Sequence, residues 1–200
     1  MTSDPTLREA LALHYRANGL PPDGGRLGAT WTIRFGGRAL RLSNFGWRRE
    51  ALPLHDAHHL LTGYPCTLAG ELEMAAWEFS AGRFRHIGAT LFCLPLIGAG
   101  FLVLPQRAYA AFVRGRLSRS LYAAGAPAAI METRIAVLRA MLSASSMSAS
   151  PVSASTIPTS TASASRLRDR AVYAGWVAMS LAWMAVPAGL AAVWVRICLF

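Results

Sequence analysis

The chain reads as an all-α protein: a compact helical domain with one small N-terminal β-hairpin, then a C-terminal transmembrane helix on a flexible tether. Three observations predict this. Apolar residues recur at helical spacing through most of residues 1–142. Strict alternation is confined to residues 30–42, where Trp31, Ile33 and Phe35 are followed by Leu40 and Leu42 across Gly36 and Gly37, a two-residue hairpin signal. Composition breaks at Ser143, after which 13 of 23 residues are Ser or Thr and none is charged. With 54% apolar and 15% charged residues in 200, the chain is too apolar for disorder and charge-poor for a soluble enzyme.

Taken in order, Asp4 and Pro5 look like the N-cap and first position of a helix that carries Leu7, Leu11 and His14 and stops at Gly19. After the hairpin, helical patterns span 53–62 (ended by Gly63), 67–81 (ended by Gly82), 86–104, 106–124 and 127–142. Residues 87–104 are uncharged and apolar, interrupted by Pro95, Gly88, Gly98 and Gly100. They suit a core helix, a membrane-dipping hairpin arm or the wall of a groove for a greasy ligand, the core helix being the simplest. The 143–165 stretch buries too little apolar surface to offset its ordering entropy and reads as a linker.

Beyond it, Arg166, Arg168 and Arg170 precede an uncharged run at 171–195. That run is long enough to cross a bilayer, and Trp176 and Trp194 would sit about 27 Å apart, one at each interface. Pro187 would kink the span without forbidding it. The Arg cluster favours a cytoplasmic N-terminal domain, hence a bacterial inner-membrane protein facing the cytoplasm. Nothing at the N-terminus resembles a signal or transit peptide. Residues 166–200 are therefore expected to be a membrane helix.

All twenty basic residues are Arg, set against ten acidic ones, for a net charge of +10. They are scattered, with no basic stripe interleaved with aromatics, so nucleic acid is not an expected partner. Arg107, Arg114, Arg116 and Arg119 flank the apolar run and suit anionic lipid head groups, or else an ordinary solvated helix face. Cys66, Cys93 and Cys198 are too few and too scattered for a disulfide framework or a thiolate zinc finger.

Chemistry concentrates in one place. Three of the five histidines, His55, His58 and His59, fall within five residues. His55 and His59 are i, i+4 partners, the spacing by which one helix face offers two imidazoles to one metal ion. Asp56, about 100° round the helix, can supply a third ligand or hold a histidine ring from behind. A tight turn through Pro65 would fold the next helix back and bring Glu71 opposite the imidazoles. Two nitrogens and up to two carboxylates suit Zn²⁺, and also Fe²⁺ or Mn²⁺. His58 points away from the pair or supports it. Glu78 is either a supporting group or, more simply, a solvated or Arg-paired charge. His14 and His86 are isolated and read as structural.

The pattern His55-Asp56-x-x-His59, eleven residues, then Glu71 resembles the signature of the ubiquinone (coenzyme Q) biosynthesis protein four family. The surroundings are similar too: Leu54 before the motif, Leu61, Thr62, Gly63 and Tyr64 after it, Gly70 before Glu71, and the Arg-rich 112–122 segment. The resemblance covers about residues 5 to 142. It implies a mostly helical, membrane-associated protein with zinc held at His55, Asp56, His59 and Glu71. It also implies metal-dependent carbon–carbon lyase activity: C1 decarboxylation of a 4-hydroxy-3-methoxy-5-polyprenylbenzoate-type precursor, with Glu71 and Asp56 as the candidate catalytic acids. The alternative is a non-catalytic scaffold or isoprenoid-lipid-binding module that organises other quinone biosynthesis proteins, in which an oligomer has a natural place. An HD-type phosphohydrolase fits poorly, because it needs ligands upstream and downstream that His14 and Asp169 do not offer.

Overall fold

The computed structural model describes residues 4–35, 37–82, 84–124, 127–147 and 159–199, with side chains in the last of these segments placed from 165 to 187. It is mostly helical, with the expected hairpin. In order, the elements are α1 (Leu7–Ala17), β1 (Thr30–Phe35), β2 (Arg38–Ser43), α2 (Gly46–Thr62), α3 (Leu68–Ala81), α4 (Ile87–Val103), α5 (Pro105–Arg116), a 3₁₀ turn (Leu121–Ala123), α6 (Pro127–Met131), α7 (Ile135–Met147) and α8 (Thr159–Leu199).

The cap of α1 is two residues later than Asp4 and Pro5 suggest. Thr6 Oγ1 accepts from the Glu9 N–H while Glu9 Oε2 accepts from the Thr6 N–H, a complete capping box. Asp4 serves a different helix: its carboxylate accepts from Ala136 N–H at the start of α7, and its carbonyl accepts from Arg134 Nη1 at 2.6 Å. Thr6 and Arg134 form an isolated antiparallel bridge, so the two ends of the helical body are stitched together.

β1 and β2 pair antiparallel, with Thr30 opposite Ser43 and Phe35 opposite Arg38. Two strands alone are marginal in water, and this pair leans on the body through aromatics. Trp31 and Trp47 each lie 5.6 Å from Phe92 of α4, and Arg48 stacks over Trp31 at 4.1 Å. Gly37 takes the left-handed conformation (φ +77°) that a two-residue turn needs; Gly36 lies outside the described residues.

α2 begins at Gly46, a full seven residues before the start that Pro53 suggests. A proline inside a helix removes one donor, and here the helix runs through it rather than starting at it. Gly63 ends α2 in a left-handed cap (φ +82°), its N–H donating to His59 O at 2.9 Å. The following turn folds tightly onto α3: a Cβ on Gly70 would overlap the Pro65 carbonyl oxygen. Thr67 caps α3.

α3 is the central helix, packed between α4 and α5, with Leu72, Met74, Ala76 and Trp77 buried. At Gly115 a Cβ would strike Ser80 Oγ and the Trp77 carbonyl, so α5 approaches α3 backbone to backbone. The 87–104 run is a continuous helix through Pro95, packed against α2, α3, α5 and α8. Expected helices 106–124 and 127–142 are each broken: α5 ends at Arg116 before the 3₁₀ turn, and α6 and α7 are separated around Thr133.

The C-terminal reading needs correction. Both ends of the 143–165 linker are helical, in α7 and α8, while 148–158 lie outside the described residues. α8 is not a detached span: it packs on α4 and α5, burying Tyr173 and Val177 in the common core. Trp176, expected at a lipid interface, packs against Phe79 at 5.0 Å. The contact turns on one hydroxyl. Ser180 Oγ accepts from Gly98 N–H at 2.9 Å and donates to Leu94 O at 2.6 Å, inserting into the backbone ladder of α4. Among the described residues no helix is long and apolar enough to cross a membrane; the side chains of 188–195, including Trp194, lie outside them.

Candidate metal centre

α2 and α3 run into and out of the Gly63–Cys66 turn, so residues one turn from each end meet. His55, His59 and Glu71 come together, each offering a ligand atom within 4.8 Å of the others. His55 Nε2 and His59 Nε2 face each other at 3.2 Å. Glu71 Oε2 lies 3.2 Å from the first and Oε1 3.3 Å from the second. Bonds of 2.0–2.1 Å to a tetrahedral ion would place ligand atoms about 3.3–3.4 Å apart, close to the spacing the two imidazole nitrogens keep from each other and each keeps from one oxygen of the Glu71 carboxylate.

The other ring nitrogens are occupied, which settles the tautomers. His55 Nδ1 donates to Glu78 Oε2 at 3.1 Å, and His59 Nδ1 donates to Tyr64 O at 2.9 Å. Both rings therefore turn Nε2 inward, the arrangement that carboxylate and carbonyl partners impose on metal-binding histidines. His58 is fixed by the backbone: Leu121 N–H donates to its Nε2 at 2.9 Å, so its Nδ1 carries the proton and donates to Glu78 Oε1 at 2.7 Å. Tyr122 OH adds a third donor to Glu78 at 2.9 Å.

Glu78 is thus the hub behind the site, fully buried, and neither solvated nor paired with Arg. Its i+7 relation to Glu71 and its position in the apolar stretch Met74–Phe79 were the available signals; only tertiary packing brings the three donors to it. Burial alone would raise its pKa, but His55 and His58 outweigh that and hold it well below the ordinary carboxylate value. Glu71 is likewise opposed by burial, yet the hydrogen bonds from His55 and His59 bring it down to about 2. Burial works against the charged form of His55, and the carboxylates of Glu78 and Glu71 overcome it, lifting its pKa well above 6.5. His58 goes the other way: burial dominates and keeps its ring neutral.

Asp56 does not join the triangle. It is buried beside α1, where its Oδ2 accepts from Tyr15 OH at 2.9 Å beneath Gly24. Its position on α2, 100° from His55, turns it toward Tyr15 instead of toward the Nε2 atoms. Burial raises its pKa despite the neighbouring imidazoles. His14 is not isolated, since its Nε2 lies 3.4 Å from Cys66 Sγ, and His86 Nε2 contacts Glu50 at 2.6 Å.

The arginines read as head-group ligands have protein partners. Arg107 grips Glu73 through Nε and Nη2 at 3.0 and 2.6 Å. Arg114 donates to Thr62 O and stacks on Tyr64, and Arg116 pairs with Asp169 of α8.

No family model, curated protein or solved structure matches the chain. The donor set, two imidazoles and a carboxylate with firmly held outer partners, could hold a metal ion.

Proposed function

We propose that the chain is a metal-dependent carbon–carbon lyase of ubiquinone biosynthesis, removing the C1 carboxylate of a 4-hydroxy-3-methoxy-5-polyprenylbenzoate-type precursor. The observation that carries this is the facing pair His55 Nε2 and His59 Nε2, 3.2 Å apart, with Glu71 closing the triangle and both Nδ1 atoms already committed. The motif supporting the reading spans His55, Asp56, His59 and Glu71. His55, His59 and Glu71 would hold the ion, Zn²⁺ in the first instance. A bound divalent ion supplies Lewis-acid stabilisation of the negative charge that develops on the ring as CO₂ leaves.

The chain's own groups divide the remaining work. Glu71, with its pKa near 2, is a poor acid and is assigned to metal holding alone. Asp56, free of the triangle and with a raised pKa, is assigned the proton that the vacated ring carbon must receive, with Tyr15 OH steadying the carboxyl group. Glu78 fixes the tautomer and orientation of His55. The substrate's isoprenoid tail calls for an apolar surface. The exposed Phe101, Leu102 and Val103 at the end of α4 suit either the tail or the cytoplasmic face of the inner membrane.

The competing reading is a non-catalytic scaffold or isoprenoid-lipid-binding module for other quinone biosynthesis proteins. The complete burial of Glu78 and His58, which ties a ligand to the core, is what favours it. Two variants separate the readings in the purified full chain. Glu71→Gln is expected to lose metal and CO₂ release together. Asp56→Asn is expected to keep its metal and lose CO₂ release by about a hundredfold or more. Full activity in Asp56→Asn would remove the assigned acid, and full quinone synthesis by a folded, metal-free Glu71→Gln would leave only the scaffold.

A further inference from the structure

The N-terminal half of α2, together with α1 and α6, bounds a cleft of about 570 Å³ outside the His55–His59–Glu71 triangle. Four arginines line it, Arg8, Arg26, Arg49 and Arg85. Among the described residues lining it, Glu50 is the only carboxylate, and its Oε2 is held 2.6 Å from His86 Nε2. Two of the arginines are anchored by the protein. Arg8 donates through Nε and Nη2 to Glu132 Oε1 at 2.8 and 2.6 Å, and Arg85 donates through Nε to Tyr122 O at 2.7 Å. The guanidinium groups of Arg26 and Arg49 form no hydrogen bond or ion pair among the described residues. Apart from His86 and Tyr122, the rest of the lining is apolar, including Pro53, Leu54 and Met131.

We propose that this cleft binds a phosphate monoester carried on an apolar body. The charge requires it first. Unpaired guanidinium groups facing a concave surface focus positive potential there, and an anion entering replaces water that the apolar walls hold poorly. Arg is the side chain whose planar fork of donors matches a phosphoryl group through paired hydrogen bonds. A dianion answers two uncommitted arginines where a single carboxylate would leave one over. The apolar residues give the ester's organic part something to bury, and the volume lies in the range of small-ligand sites. The ester has two natural sources: a soluble phosphorylated aromatic, or the head group of a phospholipid such as phosphatidic acid.

None of His55, His59 and Glu71 lines this cleft, and its test does not depend on catalysis. The full chain is titrated with phenyl phosphate, phenol and inorganic phosphate, and separately with phosphatidic acid and phosphatidylcholine vesicles. Three proteins are compared: wild type, the Arg26→Gln/Arg49→Gln double variant, and Arg38→Gln/Arg41→Gln, which removes the same charge from the hairpin. Phenyl phosphate is expected to bind wild type and the hairpin variant alike, more tightly than phenol or phosphate. The double variant is expected to lose about tenfold or more.

If the ester is a lipid head group, the same ranking of the three proteins holds on phosphatidic acid vesicles and phenyl phosphate binds weakly. Equal loss in both double variants would reduce the effect to net charge and overturn the site. So would binding of phenyl phosphate no tighter than phenol with no preference for phosphatidic acid, or loss of metal along with the anion in Arg26→Gln/Arg49→Gln.

Discussion

The α2–α3 and α4–α8 pairs both place polar atoms in the protein interior, and they do so by different means. Between α2 and α3, Glu78 gathers donors from His55, His58 and Tyr122, and the charged cluster is satisfied only as a set. Between α4 and α8, a single neutral hydroxyl, Ser180 Oγ, bridges Leu94 O and Gly98 N–H within an otherwise apolar contact. The first arrangement loses several partners if one member is removed, whereas the second loses one hydroxyl next to a helix that can close its own ladder. The difference teaches that α2–α3 is built to hold ring nitrogens in fixed directions, and α4–α8 is built merely to dock.

The largest expected effect breaks that contrast if it is absent. Glu78→Ala takes the carboxylate from the buried His58 ring, the buried Tyr122 phenol and the partly exposed His55 ring, and is expected to lower unfolding free energy by about 3–5 kcal/mol, read by urea denaturation. Glu78→Gln, which keeps the shape, is expected to fold and to bind Zn²⁺ about 10–100-fold more weakly than wild type, as loss of an outer carboxylate partner does. Ser180→Ala is expected to cost about 1 kcal/mol with metal affinity unchanged. A loss as large as that of Glu78→Ala would mean the two helix pairs are not different in kind. Smallest is Thr6→Ala, about 1 kcal/mol or less, since Asp4 and Arg134 still tie α1 to α7 when the capping box is gone.

The pH dependence sharpens the same contrast in the metal-free protein. His55 has a raised pKa, so its contribution is complete below 6.5 and is lost as pH rises through the higher folded value. His58 is depressed, so its contribution is complete above 6.5 and is lost as pH falls through its folded value. Glu71 and Glu78 contribute fully above 4.5 and lose their contribution as pH falls through their depressed values. The four together place the cluster's optimum near pH 6.5, and Glu78→Gln is expected to flatten the profile, whereas Ser180→Ala should leave its shape intact.

Sequence alone made the ligand triangle legible, because His55 and His59 share a helix face by spacing and Pro65 forces the turn that returns Glu71. It could not place Asp56, whose side chain follows α2 round to Tyr15, a partner 41 residues away. Glu78 was legible only as one of two options, because an acidic residue in a helix is ordinarily solvated and its donors arrive from α2 and the 3₁₀ turn. Pro53 misled because proline at a first helical turn and proline inside a helix look alike in one dimension. In the tail, the uncharged run that suggested a free membrane span includes Tyr173, Val177 and Ser180, which pack on the helical body, and apolarity by itself does not say which surface will cover such residues.

Calorimetric titration of the metal-free full chain with Zn²⁺, across pH in buffers of differing ionisation heat, bears most directly on the central claim. The account expects stoichiometric binding that releases a proton below the raised pKa of His55, strengthens by about tenfold per pH unit there, and vanishes in His59→Ala. Binding without proton release, or binding that His59→Ala leaves intact, would contradict it.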